Sequence, residues 1–143
     1  MVNLSIPTPE DPDQPYIALR LELSVDAALV RLVRLAVSGV ASVLDMTQDD
    51  VEACRSAADE MCSTLMQLGH QPGTVSIQIV VENGALVVTG QAERDPAREL
   101  ESGRAELAEL IVDASADEHE FVTDPPVASF RFMKRGVAAR GRL

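Results

Sequence analysis

The sequence predicts a two-layer α/β sandwich in which a mixed, mostly antiparallel sheet carries its helices on one face. Three observations lead there. Ile17, Leu19, Leu21 and Leu23 alternate with Ala18, Arg20 and Glu22 near the start, and Val127, Ser129, Arg131 and Met133 alternate with Ala128, Phe130 and Phe132 near the end. That period of two marks strands with one face buried. Asn83-Gly84 separates two further apolar runs, the local signature of a tight hairpin. Between the first strand and the hairpin lie two long stretches with apolar residues at helical spacing. The resulting order of strand, helix, helix, hairpin, helix, strand, strand builds a sheet covered by a helical layer.

Each element has its own local cause. After the first strand, Ser24 offers an N-cap, and Val25, Leu29, Leu32, Val33, Ala36, Val37 and Val40 recur at helical spacing to about Leu44. Thr47 with Asp50 three residues on forms a capping box with Asp in place of Glu, opening a second stripe of Val51, Cys54, Ala58, Met61, Leu65 and Leu68. Gly69 ends that helix and Pro72 prevents its return. Thr74 to Val81 and Ala85 to Ala92 read as the hairpin strands. Gly90, inside the second of them, marks a bulge or a point of close packing. Pro96 is a good first residue for a third helix, with Leu100, Leu107, Leu110 and Ile111 on one side and an end near Asp113 to Ala116. Glu118 to Val122 and Val127 to Met133 complete the sheet, separated by Asp124-Pro125-Pro126.

A chain of 143 residues fits a single domain, expected over residues 16–135. Residues 1–15 hold four prolines among scattered acids and are expected as a flexible arm, and residues 136–143 as a basic flexible tail. With no Trp, one Tyr and three Phe, the core must be built from Val, Leu, Ala, Ile and Met. Twelve basic against 23 acidic residues leave a net charge of −11, which argues against nucleic-acid binding. Lys134, Arg135, Arg140 and Arg142 cluster at the end of the chain, where a solvated terminus is expected. No apolar run approaches the roughly 18 residues of a membrane span, and Glu10-Asp11-Pro12-Asp13 is unlike a signal peptide, so the expected location is the cytoplasm. Cys54 and Cys62 lie eight residues apart on one helix, about 12 Å along its axis, which excludes a disulfide between them. Both read as small buried hydrophobes rather than redox sensors. His70 and His119 read as surface residues, and no Ser or Cys has a His and an acid at hydrolase spacing.

The second helix, from Thr47-Gln48-Asp49-Asp50 to Asp59-Glu60-Met61-Cys62-Ser63-Thr64-Leu65, is the most informative segment. Set within this order of elements, it resembles the anti-sigma factor serine kinases of bacteria, members of the ATPase superfamily shared by gyrase and sensor histidine kinases. The resemblance covers roughly residues 17–134 and implies the histidine-kinase-like ATPase fold. In that family the helix carries a Glu proposed as general base and, four residues later, an Asn that holds Mg²⁺. Here Glu60 stands at the first position and Thr64 at the second. The family places an Asp, which contacts the adenine amino group, after the second hairpin strand, followed by glycines. Strand alternation puts Ala92 near that Asp, no Gly-x-Gly follows, and Asp95 comes three residues later before Pro96. The glycine-rich lid is replaced by Glu99-Leu100-Glu101-Ser102-Gly103-Arg104, and Glu99, Glu101 and Glu106 with Asp95 would repel a triphosphate.

These substitutions lead to the expectation of a degenerate kinase with no bound cofactor. The resemblance then implies an anti-sigma-type regulator of transcription, as in stress responses, that works by binding. Its implied partners are an alternative sigma factor and an anti-anti-sigma protein of the STAS kind, which compete for it, and the implied assembly is a homodimer. The alternative is an active, divergent serine kinase that phosphorylates the anti-anti-sigma protein with ATP and Mg²⁺, using Glu60 as base and Thr64 as substitute metal ligand. A third reading is a scaffold that kept only the fold.

Overall fold

The computed structural model describes residues 16–136. The expected arm of residues 1–15 and the expected tail, apart from Gly136, lie outside the described residues. The chain forms β1 (Ala18–Ser24), a 3-10 turn (Ala27–Leu29), α1 (Val30–Val43), α2 (Gln48–Leu68), β2 (Thr74–Glu82), β3 (Ala85–Glu93), α3 (Arg104–Ser115), β4 (Glu118–Val122) and β5 (Val127–Arg135).

The five strands make one sheet in the order β1-β2-β3-β5-β4, and every neighbouring pair is antiparallel. The expected mixed sheet is therefore corrected to a fully antiparallel one. β2–β3 and β4–β5 are hairpins, and α3 carries the chain across so that β5, not β4, lands beside β3 and runs against it. Asn83 and Gly84 both have positive φ, 50° and 77°, as a two-residue turn between twisted strands requires.

Strand alternation directs one set of side chains to the helices. A row of that set crosses the whole sheet through Leu21, Ile77, Gly90, Phe130 and Phe121. Gly90 is the gap that the Phe130 ring fills. A Cβ there would sit 2.3 Å from Phe130 Cε2 and 2.8 Å from Ile77 Cδ1, so close packing, not a bulge, explains the glycine. On the opposite face Val80 and Val87 are also buried, in a row with Ala18 and Met133.

Helix α2 is the centre of the helical layer. It packs on β3 and β5, with α1 along one flank and α3, which also touches β4, along the other. Met61, Leu65 and Leu68 of α2, Val33 and Val37 of α1 and Val112 of α3 meet Ile77, Ile79, Val88 and Phe132 of the sheet with almost no exposure. Each such side chain contributes about 1.5–3 kcal/mol by leaving water. The Thr47 hydroxyl accepts from the Asp50 amide at 3.1 Å, as the capping box predicts. Gly69 ends the helix, with its amide bonded to the Leu65 carbonyl at 2.9 Å.

Three local expectations are corrected. Ser24 is the last residue of β1, and Asp26 is the cap, its carboxylate accepting from the Ala28 amide at 3.0 Å; the chain then makes a 3-10 turn before α1. Pro96 does not open the third helix, which starts at Arg104 after Gly103 turns the backbone with φ +80°. Lys134 is no part of a solvated end. It lies on the helix side of β5, largely buried, with Nζ 3.9 Å from Asp50 and 4.0 Å from Asp117. Among the described residues no helix is long and apolar enough to cross a membrane.

Candidate functional site

Glu60 and Thr64 lie one turn apart on the flank of α2 that faces α3, as their four-residue spacing predicts. The Glu60 side chain does not face an open cleft. Its Oε2 accepts from Arg104 Nη1 at 2.7 Å, and each of the two side chains is 21% exposed. Arg104 is the first residue of α3, so the ion pair fastens the start of that helix to the middle of α2.

Thr64 is 1% exposed, and its hydroxyl donates to the Glu60 carbonyl at 2.8 Å. This is the usual back-bond of a threonine inside a helix. Beside it lies a cavity of about 120 Å³, walled by Ala105, Ala108 and Glu109 of α3 with Phe121 and Thr123. Sites for nucleotide-sized ligands begin at roughly 300 Å³. This cavity is smaller than that, and the two polar groups that the resemblance assigns to the chemistry already bond within the protein.

Ala92 lies elsewhere. It is 4% exposed on β3 and packs toward Gly69 at the far end of α2, where a Cβ on Gly69 would be 3.4 Å from that of Ala92. It borders a separate cavity of about 350 Å³ with His70, Gly73, Thr74, Ser76, Gln91 and Glu93. The structure thus brings Glu60 and Thr64 together and leaves Ala92 in a different recess.

The segment from residue 94 to 103 is fastened to the end of α2. The Asp95 amide donates to the Leu68 carbonyl at 2.8 Å, and Arg98 Nη1 donates to the Gly69 carbonyl at 2.6 Å. These carbonyls are among those a helix end leaves without partners. Arg94 donates through Nε to the Thr123 carbonyl at 2.9 Å and through Nη1 to the carbonyls of Asp95 and Arg98. The Asp95 carboxylate accepts from the Ala97 amide at 2.9 Å and lies 3.7 Å from His70 Nδ1. Glu99, Glu101 and Glu106 point to solvent. Three arginines therefore organise a stretch in which sequence reasoning weighed only the acids. The available signal was their position: Arg94, Arg98 and Arg104 recur through an acidic loop in a chain with only 12 basic residues.

The cysteines are free and buried, as expected. Burial pushes the Cys54 thiol up to about 12, with Asp50 and Asp117 adding to the effect and Lys134 opposing it. Cys62, fully enclosed, is raised by burial and by Asp59. His119 Nε2 lies 3.1 Å from Asp113 Oδ1, a contact that ties β4 to α3.

No family model matches this chain, and no curated protein matches it.

Proposed function

We propose that this protein is a regulatory binding protein of the anti-sigma type in which the nucleotide site of the kinase family no longer operates. The observation that carries the reading is the Glu60–Arg104 ion pair, which engages with a cation of α3 the residue that the resemblance assigns as base. The element order on which the resemblance rests is present in the fold.

By the same resemblance the partners are an alternative sigma factor and a STAS-type anti-anti-sigma protein, which exchange on a cytoplasmic homodimer. Without ATP, exchange depends on relative affinities or on modification of a partner by another kinase. Helix α1 supports a binding role. Leu32, Leu35 and Val43 fall on one side of it, away from the buried Val33, Val37 and Val40, and Leu35 is 67% exposed. Exposed apolar side chains grouped this way suit a protein interface. A net charge of −11 complements a basic sigma-factor segment and speeds encounter more than it adds affinity.

Co-purification from the native cell tests the partner assignment: a sigma factor or a STAS protein is expected, and recovery of neither overturns it. Calorimetric titration with ATP and Mg²⁺ tests the site. Micromolar binding would overturn the loss of nucleotide function.

A further inference from the structure

Helix α3 turns two kinds of side chain outward in parallel rows. Leu107, Leu110 and Ala114 stand at i, i+3 and i+7, and Glu106, Glu109 and Asp113 repeat that spacing one residue earlier. On a helix each such set forms one stripe. All six residues are exposed, Leu107 by 51% and Leu110 by 68%, whereas the helix fully buries only Ala108 and Val112 against the rest of the protein. A single exposed leucine is ordinary, but an apolar row beside a charged one has the composition of an interface.

The acidic row is short of cations. Among the described residues the ion pairs of α3 are Arg104 with Glu60 of α2, and Asp113 with His119 of β4; Glu106 and Glu109 make none. The last turn of α3 holds no basic residue, although the helix macrodipole favours a cation there and disfavours a carboxylate such as that of Asp113. Glu99 and Glu101, just before the helix, are exposed as well. A cation supplied from outside would meet both the carboxylates and the end of the helix.

We propose that this face of α3 docks a basic amphipathic helix of another protein. The partner's apolar side chains pack against Leu107, Leu110 and Ala114, and its Lys or Arg side chains meet Glu106, Glu109 and Asp113. The rows run over about 11 Å of helix, so about two turns of the partner cover them. Charge complementarity selects this occupant over a second copy of the chain. Antiparallel pairing of two α3 helices about a two-fold axis sets acidic row against acidic row, and parallel pairing sets carboxylates against leucines. The surface is separate from α1, which lies on the other flank of α2, and its use does not depend on the partner's being a sigma factor.

A synthetic peptide of roughly four turns, with Leu at i, i+3 and i+7, Lys beside them and Ala elsewhere, tests this on the full chain by fluorescence anisotropy and amide shift mapping. Shifts are expected on α3, with an affinity that falls as salt is raised. Leu107→Ser with Leu110→Ser, and separately Glu106→Gln with Glu109→Gln, should each weaken binding about tenfold or more. Leu19→Ser, at an exposed position of β1, should leave it unchanged. Every replaced side chain is exposed, so the variants keep the fold. Equal affinity in all of these proteins, equal binding of a peptide with the same composition in scrambled order, or shifts centred on α1 would overturn the proposal. So would self-association that Leu110→Ser abolishes, which gives the face to a second copy, and an affinity that rises when residues 137–143 are removed, which gives it to the chain's own basic end.

Discussion

The carboxylate of Glu60 and the guanidinium of Arg104 meet at 2.7 Å across the seam between α2 and α3. The two residues are 44 positions apart, and neither helix would be fastened at this point without the other. The pair makes the Glu60 side chain a contact between the two helices. It also gives α3, which has only Ala108 and Val112 fully buried, an electrostatic anchor at its first turn.

Glu60→Ala is expected to lower stability by about 1–2 kcal/mol, since a charge-assisted bond is lost from a site that is mostly but not wholly screened from water. Arg104→Ala should cost a similar amount, and the double variant less than the sum, because both remove one interaction. Urea unfolding of the four proteins measures the coupling. Partner binding, followed by titration with the co-purified partner, should be unchanged in Glu60→Ala. A large loss of affinity there would mean that Glu60 serves recognition.

Gly90→Ala places a methyl group where Phe130 Cζ is 2.7 Å away and Cε2 nearer still. The ring is buried between β3 and the helical layer and has little room to retreat. Overpacking of this kind costs about 1–3 kcal/mol. The thermal midpoint should fall, with Gly90→Val worse than Gly90→Ala. An unchanged midpoint would show that the Phe130 ring moves freely.

Arg98→Ala removes the donor that meets the Gly69 carbonyl at the end of α2. The carbonyl can turn to water, so the global cost should stay near 1 kcal/mol. The local effect should be larger. Amides in the last turn of α2 and in residues 94–103 are expected to exchange several times faster, with the central amides of β3 unaffected.

Much of the fold was legible because its signals are local. Period two in 17–23 and 127–133, Asn83-Gly84 and the Thr47/Asp50 cap each act within a few residues, and each appears in the structure. Strand direction was not legible, because it depends on which strand of the last hairpin lands beside β3, a choice made by packing. The start of α3 was missed for a related reason. Pro96 suits a helix start, but Arg94, Arg98 and the Asp95 amide commit the loop to α2 and to Thr123 instead. At the candidate site, spacing placed Glu60 and Thr64 on one face. Nothing near either residue announced Arg104, since a contact over 44 positions leaves no periodic trace.

The buried thiols make stability fall at high pH. Burial raises both Cys54 and Cys62 in the folded protein above the ordinary thiol value of 9.0, Cys54 to about 12. Below pH 9 the thiols are protonated in folded and unfolded chains alike, and the full stability is present. As pH rises past 9 the unfolded chain loses these protons while the folded chain keeps them, so the unfolded state binds fewer protons and stability declines. For Cys54 the decline continues until about pH 12, where the folded thiol itself ionises. Each thiol contributes a slope of at most roughly 1.4 kcal/mol per pH unit. Cys54→Ala should therefore flatten the alkaline limb of a denaturation-midpoint profile between pH 9 and 11, even if the cavity it leaves lowers stability at pH 7. The same enclosure keeps the thiolate scarce at neutral pH, so neither cysteine should react with a disulfide reagent at pH 8 until denaturant is added. A thiol that reacts in the native protein at the rate of a free peptide, or an alkaline limb identical in Cys54→Ala, would contradict this account.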